Sequence, residues 1–155
     1  MELEYESLKN ELLRLLDSNK TWVLATSDGV RVSARAMSVV HDDLTLYFQT
    51  NRHFEKCNQM AKNQNVALCC ANASVEGIAY EVGTWEDNPA VKEVYIEHHK
   101  GSYELYGTLP GQVVIKVVPH YAVFWKYIGG EPARDFLHIP EERAERLFYF
   151  EQYSK

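Results

Sequence analysis

A single arginine in the middle of a strand-like segment is the first residue of this sequence that could do chemistry. Arg35 lies between small neighbours in residues 33–37, which read SARAM. A buried guanidinium must be paired and hydrogen-bonded, so an anionic or planar polar group should face it. Because side chains alternate along a strand, Arg35 could equally point into solvent, and this segment alone leaves both alternatives open.

A hydroxyl and an ammonium group follow in the next part of the chain. Thr50 ends the strand-like run Tyr47-Phe48-Gln49-Thr50, and Lys56 comes six residues later at the start of a helical segment. A threonine hydroxyl, a lysine and free backbone N–H groups near a helix N-terminus can converge on one phosphate. We therefore predict a phosphate cradle here, with an ordinary capped helix and a solvated lysine as the alternative.

Two acids and two histidines lie at helical spacing further along, at Glu93, Glu97, His98 and His99. Such side chains could suggest metal ligands. No His-Glu-x-x-His motif and no cysteine pair accompany them. We therefore predict no metal site and read this segment as a solvated helix surface.

The cysteines show no Cys-x-x-Cys spacing, at Cys57, Cys69 and Cys70. Buried, reduced thiols with a structural role fit this pattern better than redox catalysis, and they favour a reducing compartment. Three of the first six residues are glutamates, a charge opposite to that of a secretory signal. The sequence therefore predicts a cytoplasmic protein.

The overall composition narrows the classes of partner. The chain has 155 residues, 46% of them hydrophobic, and a formal net charge of -6. Negative charge opposes the phosphate attraction that nucleic-acid binding depends on. No apolar run approaches the roughly 20 residues that a membrane span needs. We expect a single globular domain over residues 1–155, with neither nucleic acid nor membrane as a partner.

Hydrophobic periodicity predicts the elements that must position these residues. Apolar side chains three and four apart predict helices at residues 5–18, 53–63 and 141–153, and one that begins at Pro89 and ends near Gly101. Alternating or wholly apolar runs predict strands at residues 21–26, 31–40, 44–50, 66–71, 77–85, 111–118 and 121–127. Strands in this number close best as a small antiparallel barrel, because an open sheet would leave unpaired edges.

Two ordered segments of the sequence resemble the pyridoxamine 5'-phosphate oxidase-like FMN-binding split-barrel family. Residues 21–70 contain a strand ending in Thr-Ser, a glycine turn, Arg-x-Met, an aromatic strand ending in threonine, a lysine and Asn-x-Val-Ala-Leu. Residues 122–134 add Ala-Val-Phe-Trp, followed by Gly129, Pro132 and Arg134, which resemble the Val-x-Phe-Trp and Gly-x-Pro ending of the family. The resemblance implies a mainly β fold with flanking helices, a six- or seven-stranded antiparallel split β-barrel.

The same resemblance implies FMN at the interface of a homodimer. Arg35 would reach the cofactor phosphate, and Trp125 would sit beside the flavin from the partner subunit, although a core position for Trp125 is the alternative. The cofactor-binding residues implied by the resemblance are Ser33, Arg35, Ala36, Met37, Phe48, Gln49, Thr50, Lys56 and Trp125.

Several positions depart from the pattern of the family. Phe54 and Glu55 stand where a serine and a basic residue usually precede the phosphate lysine. Val40 stands where a true pyridoxamine phosphate oxidase carries a substrate lysine, and Asp135 and Phe136 interrupt the Arg-x-His signature. These departures argue against vitamin B6 oxidation and predict a weaker phosphate site.

The resemblance therefore implies an FMN-dependent oxidoreductase that acts on an unidentified small-molecule substrate or reductant. By position alone, Tyr127 and His138 are the candidate proton donors. The alternative is a non-catalytic or stress-related split-barrel module that binds flavin weakly, or another planar cofactor such as haem or a deazaflavin.

Overall fold

The computed structural model of the protein describes residues 1–152. It contains three α-helices: α1 (Tyr5–Ser18), α2 (Glu55–Lys62) and α3 (Pro89–Tyr106). None of the helices in this range is long and apolar enough to cross a membrane. The helix predicted over residues 141–153 reaches Tyr153, which lies outside the described residues.

Ten antiparallel strands form the rest of the fold. They are β1 (Glu2–Leu3), β2 (Thr21–Ser27), β3 (Val32–Ser38), β4 (Val40–Asp42), β5 (Thr45–Asn51), β6 (Asn65–Cys70), β7 (Ala73–Glu81), β8 (Gln112–Ile128), β9 (Glu131–His138) and β10 (Arg143–Phe148). Their order is β1-β10-β9-β8-β7-β6-β2-β3, and β5 joins through pairs with β4 and β8.

The barrel closes because the chain changes partners between β3 and β4. β3 pairs with β2, and after the single residue Val39 the chain continues as β4, which pairs with β5. β2, β3 with β4, β5, β8, β7 and β6 then form a closed circuit. The predicted antiparallel split barrel is confirmed, and the ten strands exceed the predicted six or seven because β9, β10 and β1 extend the sheet beyond the barrel.

Large apolar side chains fill the barrel, among them Trp22, Leu24, Leu46, Phe48, Leu68, Val75, Val117 and Phe124, each less than 2% exposed. α1 covers this core with Leu8, Leu12 and Leu16, one residue per turn on a single helix face. A second cluster lies outside the barrel wall, where α3 packs Tyr95 against Trp85, Val40 and Val114.

The predicted closing helix is wrong. Residues 143–148 form β10, which pairs with both β9 and β1, and a short 3-10 helix follows at Phe150–Gln152. The acidic pair Glu141 and Glu142 lies in the turn before the strand, where Glu142 has a positive φ of 48°. An open edge of β9 offers a ladder of hydrogen bonds to this segment, and long-range pairing of this kind overrides local helix propensity.

Other segments differ from the prediction in length. β8 is one strand of 17 residues instead of two, with Pro119 at an irregularity opposite Gly77. β9 was not predicted, and a two-residue turn of Gly129 and Gly130, both with positive φ, joins it to β8. α3 continues past Gly101 to Tyr106 with a kink at His99.

A buried carboxylate ties the extension to α1. Asp135 is fully buried and accepts hydrogen bonds from Arg146 Nε at 2.6 Å and Lys126 Nζ at 2.8 Å, and Lys126 also contacts Glu11 at 2.6 Å. Burial by itself would raise the pKa of Asp135, but the hydrogen bonds from Arg146 and Lys126 outweigh it and lower the pKa. A buried acid of this kind is tolerated because its charge is fully paired.

Gly77 is required where β7 crosses the irregularity in β8. A Cβ at this position would lie 2.7 Å from the carbonyl oxygen of Val118 and 2.8 Å from a methyl carbon of Val117. We expect Gly77→Ala to lower the free energy of unfolding by about 1–3 kcal/mol, measured by urea denaturation. Gly101→Ala is the control, because nothing lies within 4 Å of its Cβ position. Equal stability of the two variants would contradict the close approach.

Candidate functional site

The split of the barrel brings together residues from three elements. β3 and β5 are not hydrogen-bonded to each other, and α2 follows β5 directly in the chain. Arg35 lies on β3, Thr50 near the end of β5, and Lys56 in the first turn of α2. Lys56 contacts Thr50, and Arg35 lies near enough to Lys56 to lower its pKa, so the three residues of the predicted phosphate cradle are neighbours in the fold.

Arg35 lies on the inner side of β3. It pairs in register with Leu24, which points into the core, and its guanidinium Nη1 donates to the Thr26 hydroxyl at 2.7 Å and to the Leu24 carbonyl oxygen at 3.3 Å. The side chain is half-buried. Of the two alternatives for this arginine, the inward one is therefore correct.

Lys56 approaches the same place from α2. Its ammonium nitrogen donates to the hydroxyl of the buried Thr50 at 3.3 Å and lies 4.8 Å from the centre of the Phe54 ring. Phe54 occupies the N-cap position, and no side chain caps the helix. The first N–H groups of a helix have no intrahelical acceptor, so the uncapped turn around Lys56 can accept an anion.

Both cations have lowered pKa values. Burial lowers the pKa of Arg35, and Glu55 offsets part of this effect. Burial also lowers the pKa of Lys56, and repulsion from Arg35 lowers it further. Within residues 1–152 no carboxylate oxygen lies within 4.0 Å of either cation, and Glu55 instead contacts Arg31 at 3.7 Å. Half-buried positive charge without a paired acid is the electrostatic signature of an anion site.

The other residues predicted on β3 and β5 divide between two faces. Ser33 and Met37 are half-buried on the side of Arg35, whereas Ala36 is exposed on the outer face. Phe48 is fully buried inside the barrel, so only its backbone could contact a ligand. The Gln49 amide is already used, because it donates to Ser102 at 3.0 Å and accepts from Trp85 Nε1 at 2.8 Å.

Trp125 lies far from this group within one protomer. Thr50 pairs with Val113 near the start of β8, whereas Trp125 lies near the other end of the same strand. The indole is 39% exposed, so Trp125 is not a core residue. Its ring lies edge-on to Tyr127 and Tyr149, at centroid distances of 6.3 and 6.2 Å.

Neither candidate proton donor contacts the predicted cradle. Tyr127 is 68% exposed beside Trp125, and His138 Nε2 lies 3.0 Å from a Glu145 carboxylate oxygen.

The helical segment with Glu93, Glu97, His98 and His99 is not wholly a solvated surface. His99 is half-buried, and its Nε2 lies 3.0 Å from the Val39 carbonyl oxygen. No group of three or more His, Cys, Asp or Glu side chains in the described part of the chain could hold a metal ion.

The cysteines are free thiols in different environments. Burial raises the pKa of Cys57, whose Sγ lies 3.4 Å from the Asn51 carbonyl oxygen. Cys70 is half-buried, but Cys69 is exposed on the outer face of β6, so the prediction of three buried thiols is wrong for Cys69. The alternation of a strand explains the difference, because adjacent residues face opposite sides.

Sequence reasoning missed two polar residues beneath Arg35. Thr26 and Gln59 are 2% and 1% exposed, and the Thr26 hydroxyl lies between the Arg35 guanidinium and the Gln59 amide oxygen. Gln59 lies three residues after Lys56 on α2, where a glutamine is usually solvated. Its position one turn from Lys56, on the face that must cover the barrel, was the only available signal.

Comparison with known proteins gives both a family and a relative. A family model described as pyridoxamine 5'-phosphate oxidase matches residues 8–126. General stress protein 26 of Bacillus subtilis (strain 168) is 31% identical over 66 residues, which are 43% of this chain and 47% of the relative. The match therefore spans about half the length of that curated relative.

Solved structures share the fold. General stress protein 26 of Bacillus anthracis str. Sterne has a TM-score of 0.66 at 23% identity, over 85% of this chain and 98% of that one. A haem storage protein of Vibrio cholerae (72% and 89% covered) and a FAD-binding protein of Mesorhizobium loti (73% and 90% covered) each have a TM-score of 0.60 at 13% identity. At these identities the likeness concerns the fold alone.

The strand topology and the solved structures that share it define a split-barrel protein. Because the family model covers most of the chain, the protein belongs to the pyridoxamine 5'-phosphate oxidase family.

The repulsion between the two cations can be measured without any ligand. Arg35→Met removes the positive charge that lowers the pKa of Lys56, so we expect that pKa to rise. The measurement is an NMR titration of the Lys56 side-chain ε signals in both proteins. Arg14→Met removes an exposed charge on α1 and should leave the pKa of Lys56 unchanged. An unchanged or lower pKa of Lys56 in Arg35→Met would contradict the repulsion between the two cations.

Proposed function

We propose that this protein binds FMN through its phosphate at the cradle formed by Arg35, Thr50 and Lys56. The observation that carries this proposal is the pair of half-buried cations on separate elements, with no carboxylate at contact distance in residues 1–152. A phosphomonoester would relieve their repulsion and accept charge-assisted hydrogen bonds from both. The uncapped first turn of α2 adds backbone donors at the same place.

The open edge of β3 suits the flat ring system of a flavin. β3 ends the sheet path, so the backbone groups on its far edge are not used by another strand among the described residues. Ala34 and Ala36 are exposed and small, and they leave the surface beside this edge unobstructed. Backbone N–H and C=O groups of residues 33–37 could therefore pair with the polar rim of the ring, as β-edges do with other extended partners.

A homodimer would complete the site. Because Trp125 and the partner of Thr50 lie toward opposite ends of β8, we propose that the Trp125 that covers a ligand at the cradle comes from the second protomer. The outer surface of the sheet supports such an interface. The strand registers place six uncharged side chains in one row across β3, β2, β6, β7, β8 and β9. These side chains are Ala36, Val23, Cys69, Ser74, Val123 and Phe136. In this mostly apolar row Ala36, Val23 and Cys69 are exposed and the other three side chains are half-buried, which is suited to an interface.

We infer a cytoplasmic oxidoreductase acting on a small molecule. A bound flavin supplies the electron or hydride transfer itself, and the protein contributes binding, orientation and exclusion of water. Arg35 and Lys56 would hold the phosphate, and Trp125 of the second protomer would cover the ring. No side chain of the cradle is assigned an acid or base role.

A second candidate is a non-catalytic or stress-related module that binds flavin weakly, or a haem or deazaflavin. Glu55 favours it, because this acid lies close enough to Arg35 to affect the pKa of the guanidinium and would repel a phosphate dianion. The similarity to general stress protein 26 and to a haem storage protein also favours it.

The decisive experiment is the spectrum and mass of the ligand that copurifies, followed by FMN titration. We expect Arg35→Ala with Lys56→Ala to weaken FMN binding by about a hundredfold, because two charge-assisted hydrogen bonds are lost. The melting temperatures of the ligand-free variant and the ligand-free parent are compared, so that a loss of stability is recognised. The control is Arg14→Ala with Lys100→Ala, two exposed cations.

Several outcomes would refute parts of this proposal. Unchanged FMN retention in the Arg35 and Lys56 double variant would refute the phosphate site. A haem spectrum, or a colourless protein that takes up no FMN, would favour the second candidate. Bleaching of the bound flavin by a nicotinamide cofactor would support an enzyme.

The dimer is tested by placing a charge in the apolar row. Val23 is 44% exposed, so Val23→Glu should fold, yet it would bury an unpaired carboxylate in the interface. We expect sedimentation velocity to show a dimer for the parent and a monomer for Val23→Glu, with weaker FMN binding. Val30→Glu, at a 95% exposed turn position, should remain dimeric. A parent protein that is monomeric in solution would contradict the proposed interface.

A further inference from the structure

A buried chain of hydrogen bonds runs from α2 to the Arg35 guanidinium. The Thr26 hydroxyl donates to the Gln59 amide oxygen and accepts from Arg35 Nη1 at 2.7 Å. The Gln59 amide nitrogen donates to the Ser33 hydroxyl at 3.2 Å and to the Arg31 carbonyl oxygen at 3.3 Å. Every polar atom of the Gln59 side chain thus has a partner.

The direction of these bonds is fixed by the chemistry of the groups. Arg35 can only donate, so the Thr26 oxygen must accept from it and direct its own proton elsewhere. The Gln59 oxygen is the acceptor for that proton, and its nitrogen then faces Ser33 and Arg31. Because Thr26 and Gln59 are almost fully buried, water does not compete for these bonds.

We propose that Thr26 and Gln59 are positioning residues that hold the Arg35 guanidinium in place for a ligand phosphate. Gln59 lies one helical turn from Lys56 on α2. The docking of one helix therefore sets both cations, Lys56 directly and Arg35 through the Thr26 hydroxyl. This inference rests on the proposed function, because it assigns Arg35 to the phosphate.

Isosteric substitution separates positioning from packing. Thr26→Val keeps the shape of the side chain and removes the hydroxyl, whereas Thr26→Ser keeps the hydroxyl. We expect Thr26→Val to weaken FMN binding by about tenfold, in the range of one hydrogen bond to a charged group, and Thr26→Ser to stay within about twofold. Equal affinities for the Val and Ser variants would overturn the proposal.

A double-mutant cycle shows whether the effect passes through Arg35. In an Arg35→Met background, Thr26→Val should cause no further loss of FMN affinity, because the group that it positions is gone. Additive losses would mean that Thr26 acts only through the stability of the fold. The free energy of unfolding is measured for all four proteins, so that a general destabilisation is recognised.

A readout without flavin keeps this inference distinct from the proposed function. The Arg35 guanidinium N–H signals in 15N NMR, assigned by their loss in Arg35→Lys, should be protected from exchange in the parent protein and in Thr26→Ser, and exchange faster in Thr26→Val. Signals unaffected by Thr26→Val would overturn the positioning role even if the parent binds FMN. If the parent binds no FMN, the proposed function fails. Loss of protection in Thr26→Val would even then establish that the Thr26 hydroxyl positions the Arg35 guanidinium.

Discussion

The site depends on two half-buried cations that have no paired acid among the described residues. Arg35 and Lys56 are each partly desolvated and each lower in pKa than in water, and the described residues offer them no paired acid. Partial burial of a positive charge disfavours its charged form. The scaffold must therefore be stable enough elsewhere to hold both groups in position.

That stability comes from closure and from paired charge. The change of partners between β3 and β4 closes the barrel around an apolar core, while β3 and β5 stay unpaired with each other. The fully paired Asp135 fastens the added strands to α1 on the other side. The contrast is that one buried charge is paired with two opposite charges, whereas two half-buried cations have only neutral hydrogen-bond partners among the described residues.

Sequence reasoning identified the elements whose residues obey one local period, such as α1, α2 and the strands β2, β5 and β6. It also found Arg35, Thr50 and Lys56, because charged or hydroxyl side chains at strand ends and helix starts are conspicuous. It missed β9 and β10, where the burial of Asp135 depends on cations from other strands. The roles of Thr26 and Gln59 were missed for the same reason, because their hydrogen-bond partners are distant in sequence.

The irregularity in β8 decides which way Trp125 faces. Val113, Ile115 and Val117 point into the core, and with strict alternation the odd-numbered Trp125 would do so as well. His120 is an extra residue between the positions that pair with Gly77 and Glu76, and it inverts the parity of everything that follows. Ala122 and Phe124 therefore fill the core, and the indole of Trp125 lies at the surface. The extra residue in the strand, and not the polarity of the indole, determines this orientation.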